Sequence, residues 1–279
     1  MSGLQAYKWI ESEINQYRKQ QNMSPDDILW YRGEYKDYPK LVSSMMRNVI
    51  GANPPNKRLD FGEKVEIKLY EKWIYENFSE HVTFTHPEGH VHQGLKSWDM
   101  VYYLQHYGMN TRFLDWTEEL AVSIYFAGKK AKPGLEATIW LLNPVMFNKY
   151  SIGREYITTP VDTYGDLVSL TVQEGTSIKP AALSAYKPST INERIYRQTG
   201  YFVFTGLNYT CLREYITDLA GEHNVKEESF FYGLKVPYQT IKEAYDYVTN
   251  APFNVNTETL GLDERDFISD QYSYDTYKS

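Results

Sequence analysis

Apolar residues recur at helical spacing at Leu4, Trp9 or Ile10, Ile14 and Tyr17, with Glu11, Glu13, Arg18 and Lys19 between them. This predicts a first amphipathic helix that Ser24-Pro25 breaks. Ile28 to Tyr31 reads as a short strand running into Arg32-Gly33. A long helix follows from a capping-box-like start at Asp60 and Glu63, with Phe61, Val65, Leu69 and Trp73 on one face. A third helix is expected from about Ser97 to Tyr107, stopped by Gly108 in a left-handed conformation. After a loop from Met109 to Trp116, Thr117 is expected to cap a fourth helix with Glu118 and Glu119 in its first turn. Ala137 to Leu142, Gly200 to Thr205 and Phe230 to Val236 read as strands. Pro237 then opens a helix with Ile241, Ala244 and Val248 inward.

Strands scattered among helices, without strict alternation, predict a mixed α+β fold. The expected architecture is a central, mostly antiparallel or mixed sheet flanked by helices. The N-terminal helix, residues 1–24, should pack on a single larger domain, residues 25–279.

Composition narrows the function classes. The 279 residues are 42% hydrophobic and 23% charged, which excludes a disordered chain. The apolar runs are far shorter than the roughly 20 residues a membrane helix needs. The N-terminal stretch lacks a signal-peptide layout, so a cytoplasmic location is expected. The single cysteine, Cys211, excludes an intrachain disulfide and a Cys-rich zinc site. A net charge of -7 argues against sequence-blind wrapping of a nucleic-acid duplex, while leaving room for a local basic cleft. The 26 tyrosines suit surfaces that are dry on one side and wet on the other, and so a protein partner such as a neutralising antitoxin. Neither GxGxxG nor GxxxxGK[ST] occurs.

The densest polar and aromatic passage runs from Tyr102 to Thr117. A helix end at Gln105, His106 and Tyr107 faces a helix start across Thr111, Arg112, Asp115 and Trp116, gathering an imidazole, a guanidinium and a carboxylate with helix-end backbone groups. Arg112 has the fork that grips a phosphate or carboxylate. The competing structural reading pairs Arg112 with Asp115 and places Trp116 in the core.

The string LQHYGMNTRFLDWTEELAVSIYFA resembles the signature of the FRG domain family. Trp30-Tyr31-Arg32-Gly33-Glu34 is similar to that family's opening aromatic-Arg-Gly motif, with Tyr for Phe, and Leu41 to Arg47 resembles the segment after it. Arg194-Ile-Tyr-Arg-Gln198-Thr-Gly200-Tyr-Phe202 looks like the family's late strand entry. The resemblance implies an FRG-like domain over most of the chain, of the kind met in bacterial and phage-conflict settings, where toxins and antitoxins operate.

A second resemblance concerns chemistry. An aromatic-Arg-Gly strand end is also how many ADP-ribosyltransferases place the arginine that grips NAD, which implies NAD as substrate and no metal. On that resemblance Arg32 is the pyrophosphate clamp, and Gly33 leaves backbone room for the anion. Tyr107 or Trp116 is the stacking ring and His106 the ribose-hydroxyl partner. Gln198 or Glu193 is the late polar residue, and Gln105, Thr111 and Arg112 complete the binding set. The departure from that pattern is the missing Ser-Thr-Ser strand and Glu-x-Glu loop. Structural alternatives stay open, with Arg32 paired to Glu34 and Gln198 satisfying local backbone.

His81, His86, His90 and His92 cluster with Glu88, and neutral imidazoles suit zinc or nickel. The surrounding Pro, Gly and Thr read better as a polar surface loop. The expected function is an ADP-ribosyltransferase-like toxin or anti-phage effector. Its competitors are a non-catalytic module that recognises a nucleotide, nucleic acid or protein, and a hydrolase using His106 and Asp115 as acid and base.

Overall fold

The computed structural model describes residues 1–38, 40–85, 98, 101, 104–105, 108–160, 163, 180–183, 200–260, 262 and 274–278. Helix α1 (Gly3–Gln20) starts at a capping box in which Ser2 and Gln5 each satisfy the other's backbone amide. It buries Ala6, Ile10, Ile14 and Tyr17, whereas Leu4, expected inside, is exposed. Strand β1 (Trp30–Glu34), helices α2 (Ser44–Val49) and α3 (Phe61–Thr85), strand β2 (Phe113–Thr117) and helix α4 (Leu120–Lys129) follow. Next come β3 (Ala137–Leu142), α5 (Pro144–Ile152), β4 (Ala181–Leu183), β5 (Gly200–Phe204) and α6 (Leu212–Glu222). The chain closes with β6 (Phe231–Val236), α7 (Tyr238–Val248) and α8 (Tyr274–Lys278). No described helix is long and apolar enough to cross a membrane.

The six strands form one mixed-connection sheet in the order β4-β5-β2-β1-β3-β6, and each pairing is antiparallel. The fold is therefore mixed α/β around an antiparallel sheet. Every residue of β3 is buried, because it lies between β1 and β6 with helices on both faces. One face packs against α1, α4 and α7 through Ile10, Ile124, Ile139, Leu234 and Ile241. The other packs against α5 and α6 through Trp30, Trp116, Trp140, Phe147 and Ile216. A third apolar cluster joins α2 to α3 through Met45, Met46, Ile67, Tyr70 and Ile74.

Three sequence expectations need correction. The first strand begins two residues late, since Trp30 to Glu34 pair in register with Leu142 to Thr138 and the partner strand fixes where pairing starts. The stretch expected as a loop from Met109 to Trp116 contains β2, and the following helix begins at Leu120 and not at Thr117. Phe113, Leu114, Trp116 and Thr117 are buried between β1 and β5, so pairing from both sides overrides the loop-like polar composition. The face of α3 carrying Phe61, Val65 and Leu69 points to solvent, with Phe61 83% exposed. The buried face is Ile67, Tyr70, Glu71 and Ile74, spaced as i, i+3, i+4 and i+7. The capping pair at the start of α3 is present: Asp60 N donates to Glu63 Oε2 at 2.9 Å and Glu63 N to Asp60 Oδ1 at 2.8 Å. Of the helix expected over 97–107, the described residues Trp98, Val101, Leu104 and Gln105 are helical, and Gly108 is left-handed at φ 76°.

A charge inside the apolar face of α3 demands a partner, and the residue just before β2 supplies it. Arg112 Nε and Nη2 donate to Glu71 Oε1 and Oε2, both at 3.0 Å, with both side chains buried. This replaces the expected Arg112–Asp115 pair. Tyr75 adds a hydrogen bond to Glu71 at 3.0 Å, and burial pushes its hydroxyl well above the ordinary tyrosine range. The Arg112 guanidinium lies 4.4 Å from the Phe204 ring centroid, and its carbonyl accepts from both the amide and the hydroxyl of Thr205. The preceding Thr111 carbonyl accepts from Met45 N and Ser44 Oγ. Two consecutive residues thus tie α2, α3, β2 and the end of β5 together.

Removing one member strands the other charge in a dry site. Glu71→Ala should cost on the order of 3–5 kcal/mol. Replacing the pair by the apolar combination Glu71→Leu with Arg112→Met should recover most of that loss, as urea melts of the three proteins would show. Gly33 supplies a second test of packing. A Cβ built there would lie 1.8 Å from the Ser123 carbonyl oxygen, since α4 rests directly on the β1 backbone. Gly33→Ala should therefore cost about 3 kcal/mol or more, read as a lowered thermal midpoint.

Candidate functional site

Strand alternation places Trp30, Arg32 and Glu34 on one face of β1 and Tyr31 and Gly33 on the other. Arg32 lies opposite Trp140 of β3. Its Nε donates to Glu34 Oε1 at 2.9 Å, and its Nη2 lies 2.9 Å from the same oxygen. Its Nη1 donates to the Asp115 carbonyl at 2.7 Å and stands 4.0 Å from Asp115 Oδ2. The arginine therefore bridges β1 and β2 while its side chain keeps 19% of its surface exposed.

Asp115 is the one exposed residue of β2, and its side chain is 59% exposed. Two residues upstream of it hold it in place. Gln105 Nε2 donates to both carboxylate oxygens, at 2.9 and 3.0 Å. Thr111 Oγ1 donates to Gln105 Oε1 and accepts from Phe113 N at 3.2 Å. An amide whose oxygen is taken by a hydroxyl can turn only its NH2 towards the carboxylate.

Arg47, at the end of α2, brings a second guanidinium to this rim. Its Nη1 donates to the Val42 carbonyl. Its side chain keeps solvent contact, yet desolvation of the crowded head first, and the like charge of Arg32 second, pull it below the ordinary guanidinium range. Glu34 and Asp115 act in the opposite sense. Two cations and two carboxylates thus gather about the central strands β1 and β2. Tyr38 donates to Tyr35 Oη at 2.9 Å beside them. Desolvation pushes Tyr38 up to about 12, while the hydrogen bond it receives lowers Tyr35.

The residues singled out from sequence separate into three groups. Arg32, Gln105 and Thr111 meet around Asp115. Arg112 and Trp116 do not join them: Arg112 is fully buried on Glu71, and Trp116 packs in the core, 6.4 Å from Phe231 between ring centroids. Gly33 faces α4 and not the Arg32 side, so its missing Cβ admits a helix and not an anion. His106, Tyr107, Glu193 and Gln198 lie outside the described residues, as do the side chain of His81 and residues 86–92. Among the described residues no group of three or more His, Cys, Asp or Glu could hold a metal ion.

Sequence reasoning missed Arg47 and Glu71, and offered Asp115 either as a scaffold partner of Arg112 or as an acid/base partner of His106. The signal for Glu71 was an acid at i+4 within an apolar i, i+3, i+7 stripe. Asp115 was legible as the one charged position among Phe113, Leu114 and Trp116.

An antiparallel sheet with a paired, strand-borne arginine beside an immobilised carboxylate defines an α/β domain with a charged rim at β1 and β2. Residues 27–134, a stretch that contains β1 to α4, match the FRG domain family model. No curated protein and no solved structure matches the chain.

Glu34 holds Arg32 in a partly exposed pair, and such pairs contribute about 0–1 kcal/mol. Glu34→Gln should leave the melting midpoint within about 3 °C of the parent. An anion that competes with Glu34 for Arg32, probed with inorganic pyrophosphate, should bind several-fold tighter to this variant, because the competing carboxylate is gone. Calorimetric titration measures this, and unchanged affinity would place the anion elsewhere.

Proposed function

We propose that the Arg32 rim binds NAD and that the protein transfers ADP-ribose from it to a macromolecular target, as a toxin or anti-phage effector. The observation that carries this reading is Arg32 standing 4.0 Å from the exposed and immobilised carboxylate of Asp115, with the Arg47 guanidinium close enough to feel the charge of both. Two guanidiniums suit a pyrophosphate, whose two anionic groups each accept a fork of N–H donors. In the transfer, the bond between the nicotinamide nitrogen and ribose C1′ breaks and its electron pair leaves with neutral nicotinamide. The acceptor's lone pair forms the new bond to C1′ and its proton passes to a base. The protein's share of such a reaction is orientation and stabilisation of the oxocarbenium-like centre. His106, Gln198 and Glu193 remain the candidates for those roles, with Tyr107 as the stacking ring.

A second reading has its own support. Arg32 is already engaged by Glu34 and by the Asp115 carbonyl, and the four charges of the rim cancel. A rim that is neutral at rest suits a recognition module that exchanges these internal contacts for those of a nucleotide, a nucleic-acid end or a partner such as an antitoxin. Labelled NAD with cell lysate separates the two readings.

Arg32→Ala and Arg32→Lys should each lower NAD turnover 10²-fold or more while the melting midpoint stays near that of the parent. Ammonium fails for a geometric reason, since it cannot present two parallel donors. A variant that melts normally and still consumes NAD, or still poisons cells, would sink the clamp role.

A further inference from the structure

Asp115 is a costly residue to hold in place for stability alone. Its carboxylate is mostly exposed, and an exposed pair returns about 1 kcal/mol at best. Yet its orientation is fixed by a chain of donors running from Phe113 N to Thr111 Oγ1, from Thr111 to Gln105, and from Gln105 to both carboxylate oxygens. A carboxylate offers about four acceptor sites, and a single amide N–H group shared between the oxygens leaves the others open to solvent. Preorganised, unsaturated acceptors on a rigid strand are what a site needs to receive hydroxyl donors from a ligand. The nearest cation, Arg32 Nη1 at 4.0 Å, puts a phosphate-binding group within one sugar's length of that acceptor.

We infer that Asp115 accepts hydrogen bonds from ligand ribose hydroxyls, so that the rim takes ribonucleoside phosphates in preference to simple phosphates. The inference rests on the reading that Arg32 and Arg47 hold the ligand's phosphates. Gln105 and Thr111 are positioning residues: Thr111 fixes which way the Gln105 amide faces, and Gln105 fixes the carboxylate. Lys or Arg at position 105 would neutralise the acceptor, and Val at position 111 would let the amide turn its oxygen towards it.

The test compares two probes, NAD and inorganic pyrophosphate, by calorimetric titration of the full chain. Asp115→Asn should weaken NAD binding about 10-fold or more and leave pyrophosphate binding undiminished, since losing a carboxylate 4.0 Å from Arg32 can only favour a bare anion. Thr111→Val should weaken NAD binding in the same selective way, and Thr111→Ser, which keeps the hydroxyl, should restore it. Equal weakening of both probes, or no change with NAD, would overturn the inference. Failure of the transferase reading looks different: the parent protein then binds NAD in an Asp115-dependent manner without consuming it. A parent that consumes NAD with the same KM and kcat in Asp115→Asn leaves the transferase reading standing and removes Asp115 from it. A parent that binds neither probe removes both.

Discussion

The ion pair between Glu71 and Arg112 is the contact on which the arrangement around β2 depends. Both side chains are excluded from water, so each is tolerable only because the other is there. The fork-to-fork geometry sets the rotation of α3 about its axis and the position of Arg112 along the strand. The residues on either side of Arg112 then have little freedom left. Thr111 is drawn onto Ser44 and Met45 of α2, and the Arg112 carbonyl receives Thr205. A buried pair of this kind contributes less to net stability than to uniqueness of the packing, because an apolar substitute would permit several rotations of α3 where the pair permits one.

That anchoring explains why the rim lies where it does. With Arg112 fixed inward, strand alternation puts Phe113 and Asp115 on a common face and Leu114 and Trp116 on the opposite one. Asp115 reaches the exposed position beside Gln105, while Trp116 joins the aromatic layer with Trp30, Trp140 and Phe231. Thr111 is held by Ser44 on one side and presents its hydroxyl to Gln105 on the other. The Asp115 side of the rim is thus assembled from one short stretch of sequence by a dry ion pair behind it. Gly33 extends the same logic to β1: α4 packs against its bare backbone, which brings β1 close to the helix and leaves Arg32 on the far face.

Periodicity made some of this fold legible and hid the rest. Strands β3, β5 and β6 and the helices α1 and α7 could be read from apolar spacing because their burial is set locally, by one face or by both. Strand β2 could not, because five residues with an aspartate at the centre look like a loop until β1 and β5 pair with it from both sides. The face of α3 was misread for a related reason. A stripe at strict four-residue spacing drifts around the helix, and Phe61, Val65 and Leu69 end in solvent. The true stripe contains Glu71, a residue that no apolar count would place inside. At the site, the aromatic-Arg-Gly motif located Arg32, and the pairing with Glu34 was among the alternatives it left open. Asp115 was assigned to the wrong arginine because its nearest cation in sequence is Arg112, whereas pairing across the sheet makes its neighbour in space Arg32.

The division of labour between the two arginines follows from their surroundings and not from their sequence context. Arg112 is fully enclosed, bidentate on one carboxylate and covered by the Phe204 ring, so exchanging its partner would require opening α3 from β2. Arg32 is partly exposed and bonded to a carboxylate and a carbonyl that both remain accessible to water, so an incoming anion can replace one partner at a time. The cost of that replacement falls on Glu34, which is itself near solvent and can be hydrated when released. A ligand therefore competes with a surface-like interaction at Arg32 and with a buried one at Arg112. The first difference is within reach of an ordinary binding energy and the second is not, which assigns recognition to Arg32 and architecture to Arg112.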